Sequence, residues 1–226
     1  PLLKVAAVLA ICLCGYYYTT TLDTSFDTKL AEKISIELPD NSTVNINALS
    51  KITFNNNNWD TNRTIKLDGE AFFNVKEGGD FSVVTDAGTV NVIGTQFNIK
   101  QRQDYFEVVC YEGEVQINYN SGKTNLKAGD SFLIINGKKV ERLATNKTQP
   151  EWLNNVSSFI SVPLSEVLAE FERQFDVKFD IGNIKTDKLF SGKFTHNNIE
   201  TALKSITQPL QLQYKKVNKT ITLTRE

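Results

Sequence analysis

The pair Gly94-Thr95, inside the run "VNVIGTQFNIK" (90–100), is where residue types and spacing offer the most chemistry. A threonine hydroxyl can attack the carbonyl of the residue before it. The peptide becomes an ester, and water then cleaves the ester. The step needs a distorted peptide bond, a proton acceptor and donors for the developing oxyanion. Glycine suits the acyl side because it permits strained backbone and leaves its carbonyl uncrowded. The competing reading is structural: a glycine inside a strand marks a bulge or a close backbone approach. On residue chemistry the structural reading leads.

Other candidates are weaker. The single histidine, His196, precedes an expected helix and reads as an exposed or capping residue. Glu112 and Glu114 share one strand face and read as solvated carboxylates beside the turn glycine Gly113. Gly78-Gly79 lacks the helix and lysine of a phosphate loop. No Cys/His spacing resembles a metal site, so neither metal nor cofactor is expected. Cys110 stands apart from Cys12 and Cys14 and reads as a small buried hydrophobe.

Composition sets outer bounds. The chain has 226 residues, 40% hydrophobic and 23% charged, with a formal net charge of -1. That is an ordinary globular mix without an electrostatic grip on nucleic acid. Lys215, Lys216 and Lys219 read as a solvated hairpin tip. There is no methionine, which predicts a start downstream of a cut. "LLKVAAVLAICLCGYYY" is apolar from Leu2 to Tyr18 apart from Lys4. Its length, its early lysine and its closing tyrosines predict a single membrane span, N-terminus in the cytoplasm. Against a cleaved signal peptide, no small-x-small site follows the run, and against a lipid anchor at Cys12 or Cys14, Ile11 and Leu13 are bulky where a small residue is expected.

The elements that must position Gly94-Thr95 are short β runs. They follow one another from Ile34 to Leu143, separated by turn signals such as Asp68-Gly69, Ala87-Gly88, Gly129-Asp130 and Asn136-Gly137. Later the period changes. Leu164, Val167, Leu168, Phe171 and Phe175 recur at helical spacing behind Pro163, and "VKFDI" alternates like a strand. The pattern returns at a constant offset of 35 residues, with Leu164 matching Ile199, Phe171 matching Ile206 and Phe179 matching Tyr214. Every matched position is apolar or aromatic, which predicts a duplicated β-α-β unit. The expected fold is therefore mainly β plus α/β. A transmembrane helix (1–18) and a polar stalk (19–33) lead into an antiparallel β sandwich or solenoid-like domain (34–144). A connector (145–157) then joins it to a small doubled β-α-β lobe (158–226).

"LPDNSTVNINALSKITF" (38–54), "LDGEAFFNV" (67–75), "VIGTQFNI" (92–99), "YEGEVQI" (111–117) and "LKAGD" (126–130) resemble the periplasmic part of FecR-type sigma-factor regulators, in order and spacing. The resemblance runs on through Trp152 and "PLSEVLAEFERQFDV" to the C-terminus. It implies an inner-membrane anti-sigma factor of a Gram-negative bacterium with its bulk in the periplasm. A cytoplasmic domain that this sequence lacks would hold an extracytoplasmic-function (ECF) sigma factor. The periplasmic part would contact the signalling domain of a TonB-dependent outer-membrane receptor, and proteolysis would follow. It further implies a C-terminal lobe like the secretin and TonB short N-terminal (STN) fold. Some members self-cleave at the Gly-Thr of "GTxF", here Gly94-Thr95 followed by Phe97, which brings cleavage level with the structural reading. The receptor-contact residues are not legible; open strand edges in 158–226 are the expected surface.

Two other classes compete with this reading. One is a membrane-anchored glycan-binding module with Trp59 and the Asn55–Asn58 loop as a sugar platform. The other is a hydrolase, which lacks a base.

Overall fold

The computed structural model describes residues 9–13, 15, 22–120 and 122–225. Thirteen strands form one sheet. In chain order they are β1 (Thr24–Asp27), β2 (Ile34–Glu37), β3 (Thr43–Ile46), β4 (Lys51–Phe54), β5 (Arg63–Asn74), β6 (Phe81–Val84), β7 (Gly88–Val92), β8 (Gln96–Arg102), β9 (Tyr105–Glu112), β10 (Glu114–Tyr119), β11 (Gly122–Lys127), β12 (Ser131–Ile135) and β13 (Lys138–Val140). The alternation of Ile65, Leu67, Ala71 and Phe73 along β5 sends one face inward, where all four are buried.

β5 is the spine. Its first half pairs with β4 and, in parallel, with β6; its second half pairs with β3 and β8. The bend between the halves falls at Gly69, with φ +117°, where a Cβ would overlap the Ser50 side chain. Only glycine fits that position. The sheet thereby curls around a single core, in which Phe73 stacks on Phe97 at 5.0 Å and Trp59 meets Phe54 and Phe81 edge-on.

The C-terminal lobe starts with a 3-10 turn, Glu151–Asn154. It continues through β14 (Val156–Pro163), α1 (Leu164–Phe175), β15 (Lys178–Asp180), β16 (Leu189–Thr195), α2 (Ile199–Thr207), β17 (Leu212–Val217) and β18 (Thr220–Arg225). α1 buries Leu164, Val167, Leu168 and Phe171 in a second core. Asn198 caps α2, its Oδ1 accepting from the Thr201 amide at 2.9 Å.

The expected fold class needs correction in three respects. The protein is mostly β, and its large domain is one curled sheet rather than an antiparallel sandwich. Asp68-Gly69, read as a turn, lies inside β5, so the ladder never breaks there; β5 and β6 are parallel. The lobe keeps the doubled β-α-β order, β14-α1-β15 and β16-α2-β17, but its strands fall into two sheets. β14 pairs with β16, while β15, β18 and β17 form a separate sheet. Finally, no helix among the described residues is long and apolar enough to cross a membrane, so the expected span over 1–18 is not found among them. Positions 1–8, 14 and 16–18 of that stretch lie outside the described residues.

Candidate functional site

"VNVIGTQFNIK" is two strands, not one. β7 ends at Val92, and the chain turns a corner through Ile93, Gly94 and Thr95 into β8. On the other side of the corner, "YFEVVCYEGEV" divides at Gly113 between β9 and β10. The pairing of β8 with β9 slips there: Gln96 faces Glu112 and Phe97 faces Cys110, leaving Tyr111 as the extra residue of a bulge. Two chain corners are thus stacked on one another.

The stacking explains both glycines. A Cβ on Gly94 would lie 2.6 Å from Glu77 Cγ and 3.3 Å from Glu77 Cα. Gly113 has φ +80°, and a Cβ there would lie 2.8 Å from the Gly94 carbonyl oxygen and 3.1 Å from Thr95 Oγ1. Thr95 is buried at 3% exposure. Its amide donates to the Val75 carbonyl at 3.2 Å, and its carbonyl accepts from the Val75 amide at 3.0 Å. Its hydroxyl donates to the Glu114 carbonyl at 3.2 Å. The nucleophile atom, the carbonyl it would attack and the β9–β10 bend therefore occupy one corner, in which Thr95 is buried, Gly94 is half-buried and Gly113 is exposed.

A clamp holds Glu77 against this corner. Arg63 Nε donates to Asp40 Oδ2 at 2.8 Å, and its terminal nitrogens donate to the Gly79 and Lys76 carbonyls, each at 2.9 Å. Burial opposes the Asp40 charge, but the guanidinium overcomes it and holds the carboxyl below its ordinary range. Cys110 lies under the bend, its Sγ 3.6 Å from the Glu112 and Gly113 carbonyls, and burial pushes the thiol up to about 11. It is a packing group, not a nucleophile.

A second polar constellation lies between the β body and the lobe. Glu170 of α1 is 1% exposed. Lys100 of β8 donates to its Oε2 at 2.8 Å, Arg173 Nη2 donates to the same oxygen at 2.9 Å, and Gln174 donates to Oε1 at 2.9 Å. Gln174 also donates to Asn47, Asn47 and Asn98 donate to Glu70, and Trp152 Nε1 donates to Asn98. Burial opposes the Glu170 charge, yet Lys100, Arg173 and Arg102 hold its carboxyl well below the usual range. A cavity of about 180 Å³ opens beside this seam, walled by Lys100, Glu107, Tyr111, Arg142 and Trp152 among others.

His196 is half-buried at the seam's edge rather than exposed or capping. Lys33 Nζ lies 2.8 Å from Nδ1 and Ser157 Oγ lies 2.9 Å from Nε2. Burial and the Lys33 charge lower its pKa to about 4. Glu112 and Glu114 are exposed and take hydrogen bonds from Gln96 and Asn125. Among the described residues no cluster could hold a metal ion. Trp59 is 2% exposed in the core, so the sugar platform expected around it does not exist. Sequence reasoning missed Gly113, Glu77, Arg63 and the whole seam. The quoted "YEGEV" was a signal for Gly113, but only the pairing of β8 with β9 places it over Gly94.

The comparisons agree with this architecture. Two solved structures of a proposed anti-sigma factor from Parabacteroides distasonis ATCC 8503 superpose with TM-scores of 0.85 and 0.84, each at 24% identity. They cover 91% and 90% of this chain, and 100% and 99% of their own. At that identity they show the fold. No curated protein matches the chain. The family model described as FecR protein matches residues 24–116, which hold the curled sheet through β10 and with it the Gly94–Gly113 corner. The model described as FecR, C-terminal matches residues 157–223, the lobe that supplies Glu170 and His196. With both of its halves matched in order, the chain belongs to the FecR family.

Proposed function

We propose that this chain is the signal-receiving part of a membrane-associated anti-sigma factor. In this reading the β domain (34–144), the connector (145–157) and the STN-like lobe (158–226) lie in the periplasm. The lobe binds the N-terminal signalling domain of a TonB-dependent outer-membrane receptor, and the signal passes by proteolysis to an ECF sigma factor. Family membership across both halves is the observation that carries the reading. The description of the Parabacteroides relatives as a proposed anti-sigma factor adds support. So does the lobe's edge geometry: among the described residues β15 and β17 each pair only with β18, which leaves an outer edge for strand addition. The buried Trp59 removes the support for the glycan module.

Self-cleavage at Gly94-Thr95 belongs to the same proposal. Thr95 Oγ1 attacks the Gly94 carbonyl carbon, and the C–N bond breaks as the hydroxyl proton passes to the Thr95 nitrogen. Water then hydrolyses the ester, giving a Gly94 carboxylate and restoring the Thr95 hydroxyl. The Glu114 carbonyl orients the hydroxyl, and Gly113 admits the bend that carries it. A reporter of sigma-dependent transcription in the source bacterium tests the relay. Proline at Lys216 in β17, whose N–H points away from β18 because Val217 and Thr220 close a two-residue hairpin, should uncouple transcription from the receptor's ligand while leaving the regulator's abundance unchanged. Full induction in that variant rejects β17 as the docking edge.

A further inference from the structure

The cavity beside Trp152 serves neither the Gly94-Thr95 corner nor the lobe's strand edges. It lies between the outer face of β9 and the lobe, and measures about 180 Å³. Alternation along β9 turns Phe106, Val108 and Cys110 into the body's core, so Glu107, Val109 and Tyr111 point the other way, into the cavity. The connector adds Arg142, and the lobe adds Trp152 and Glu166. The frame is fixed. Tyr105, also on the wall, packs into the lobe's apolar core, and Trp152 Nε1 donates to Asn98 at 3.0 Å.

Most charges on the wall are already paired. Lys100 bonds Glu170 at 2.8 Å and stands 3.6 Å from Glu70, and Glu151 takes Lys147 and Lys193, each at 2.7 Å. Glu107 and Arg142 differ. They share the cavity and feel each other's charge, yet no ion pair joins them among the described residues. Glu107 Oε2 accepts from the Tyr105 hydroxyl at 3.0 Å, which leaves Oε1 open to the cavity. Burial raises the Glu107 pKa and outweighs the attraction of Arg142 and Lys100, so its charge is under-compensated. Arg142 Nη1 donates to the Ile160 carbonyl, while Nε is buried without a protein acceptor. An open carboxylate oxygen and an open guanidinium donor on one small cavity suit a ligand that carries both complementary charges.

Size and lining narrow the ligand further. A cavity of roughly 150 Å³ holds a six-carbon ring, so this one suits about seven to nine heavy atoms. An oligosaccharide or a drug-sized molecule needs roughly 300–1,000 Å³. The Tyr111 and Trp152 rings offer an apolar flank. We infer that this cavity binds a small apolar α-amino acid, its ammonium on Glu107, its carboxylate on Arg142 and its side chain against Tyr111 and Trp152. Glu166, half-buried on the same wall, adds a second carboxylate that favours the ammonium. The site stands apart from the receptor reading, since connector, β9 and lobe of one chain build it.

Calorimetric titration of the whole chain with L-leucine, isoamylamine and isocaproate tests the inference. L-leucine should saturate one site. Isoamylamine lacks the carboxylate and isocaproate lacks the ammonium, and each should bind at least about tenfold more weakly. Glu107→Gln keeps the side chain's shape and an acceptor for Tyr105. It should weaken L-leucine on the order of tenfold while leaving isocaproate unchanged. The three-ligand comparison on the unaltered chain decides the matter even where the variant fails to fold. No saturable heat with L-leucine, or equal affinity for L-leucine and either analogue, overturns the inference. So does full affinity for L-leucine in Glu107→Gln.

Discussion

Thr95 is placed where a hydroxyl, a glycyl carbonyl and a bend that tolerates no Cβ converge, and single substitutions separate their roles. Denaturing mass measurement should find fragments meeting between Gly94 and Thr95, lost in Thr95→Ala and retained in Thr95→Ser. Gly113→Ala places a Cβ at φ +80° against the Gly94 oxygen. It should cost about 1–2 kcal/mol of stability and suppress cleavage by displacing the bend. Full cleavage in Gly113→Ala would show that the bend does not position the bond. The sequence made Gly94 suspicious because a glycine between Ile93 and Thr95 weakens a strand. It could not show that Gly113 sits over it, because they meet only through the pairing of β8 with β9. His196 misled for the same reason: its partners Lys33 and Ser157 are distant in sequence.

At the scale of elements, α1 is where an ordinary amphipathic helix carries an unusual load. Its apolar stripe was legible from the spacing of Leu164, Val167, Leu168 and Phe171. That spacing says nothing of Glu170. It is buried against Lys100 and Arg173, and truncating it leaves two cations without their shared acceptor. Glu170→Ala should therefore cost about 3–5 kcal/mol in a urea titration. Lys51→Ala, which breaks only the exposed pair with Asp27, should stay within about 0.5 kcal/mol. Equal losses in the two variants would refute a load-carrying seam. β5 gives the matching lesson for strands. Alternation marked its inward face, but nothing local told a bend at Asp68-Gly69 from a turn; the overlap with Ser50 is a contact between β5 and the chain before β4.

For the whole molecule, lobe and body are joined by an apolar contact, in which Tyr105, Leu133 and Ile135 pack into the lobe's core, and by the charged seam, whose strength follows pH. His196 has its pKa lowered from 6.5 to about 4, with Lys33, Ser157 and Asn155 around it and the charges of Glu170 and Lys100 nearby. Unfolded chains take up that proton first, so stability is complete above about 6.5 and falls as pH drops through 4. Glu170, with its pKa depressed, adds a loss in the same direction below its unfolded value of about 4.5. Between pH 7.5 and 5 the melting temperature should fall by about 2–4 °C, the response to about 1 kcal/mol after screening of a half-exposed ring. His196→Gln should flatten that decline. The two-part organisation was legible in the change of hydrophobic period after Pro163, whereas the seam was not, because its polar residues read as surface. In the proposed function the C-terminal lobe receives a signal from a receptor. That role is tested most directly by titrating the purified chain with the isolated signalling domains of the TonB-dependent receptors of its own organism. Saturable one-to-one binding to one of them, with amide protection gained along β17 or β15, is the expected result. The absence of binding to every one of these domains would contradict it.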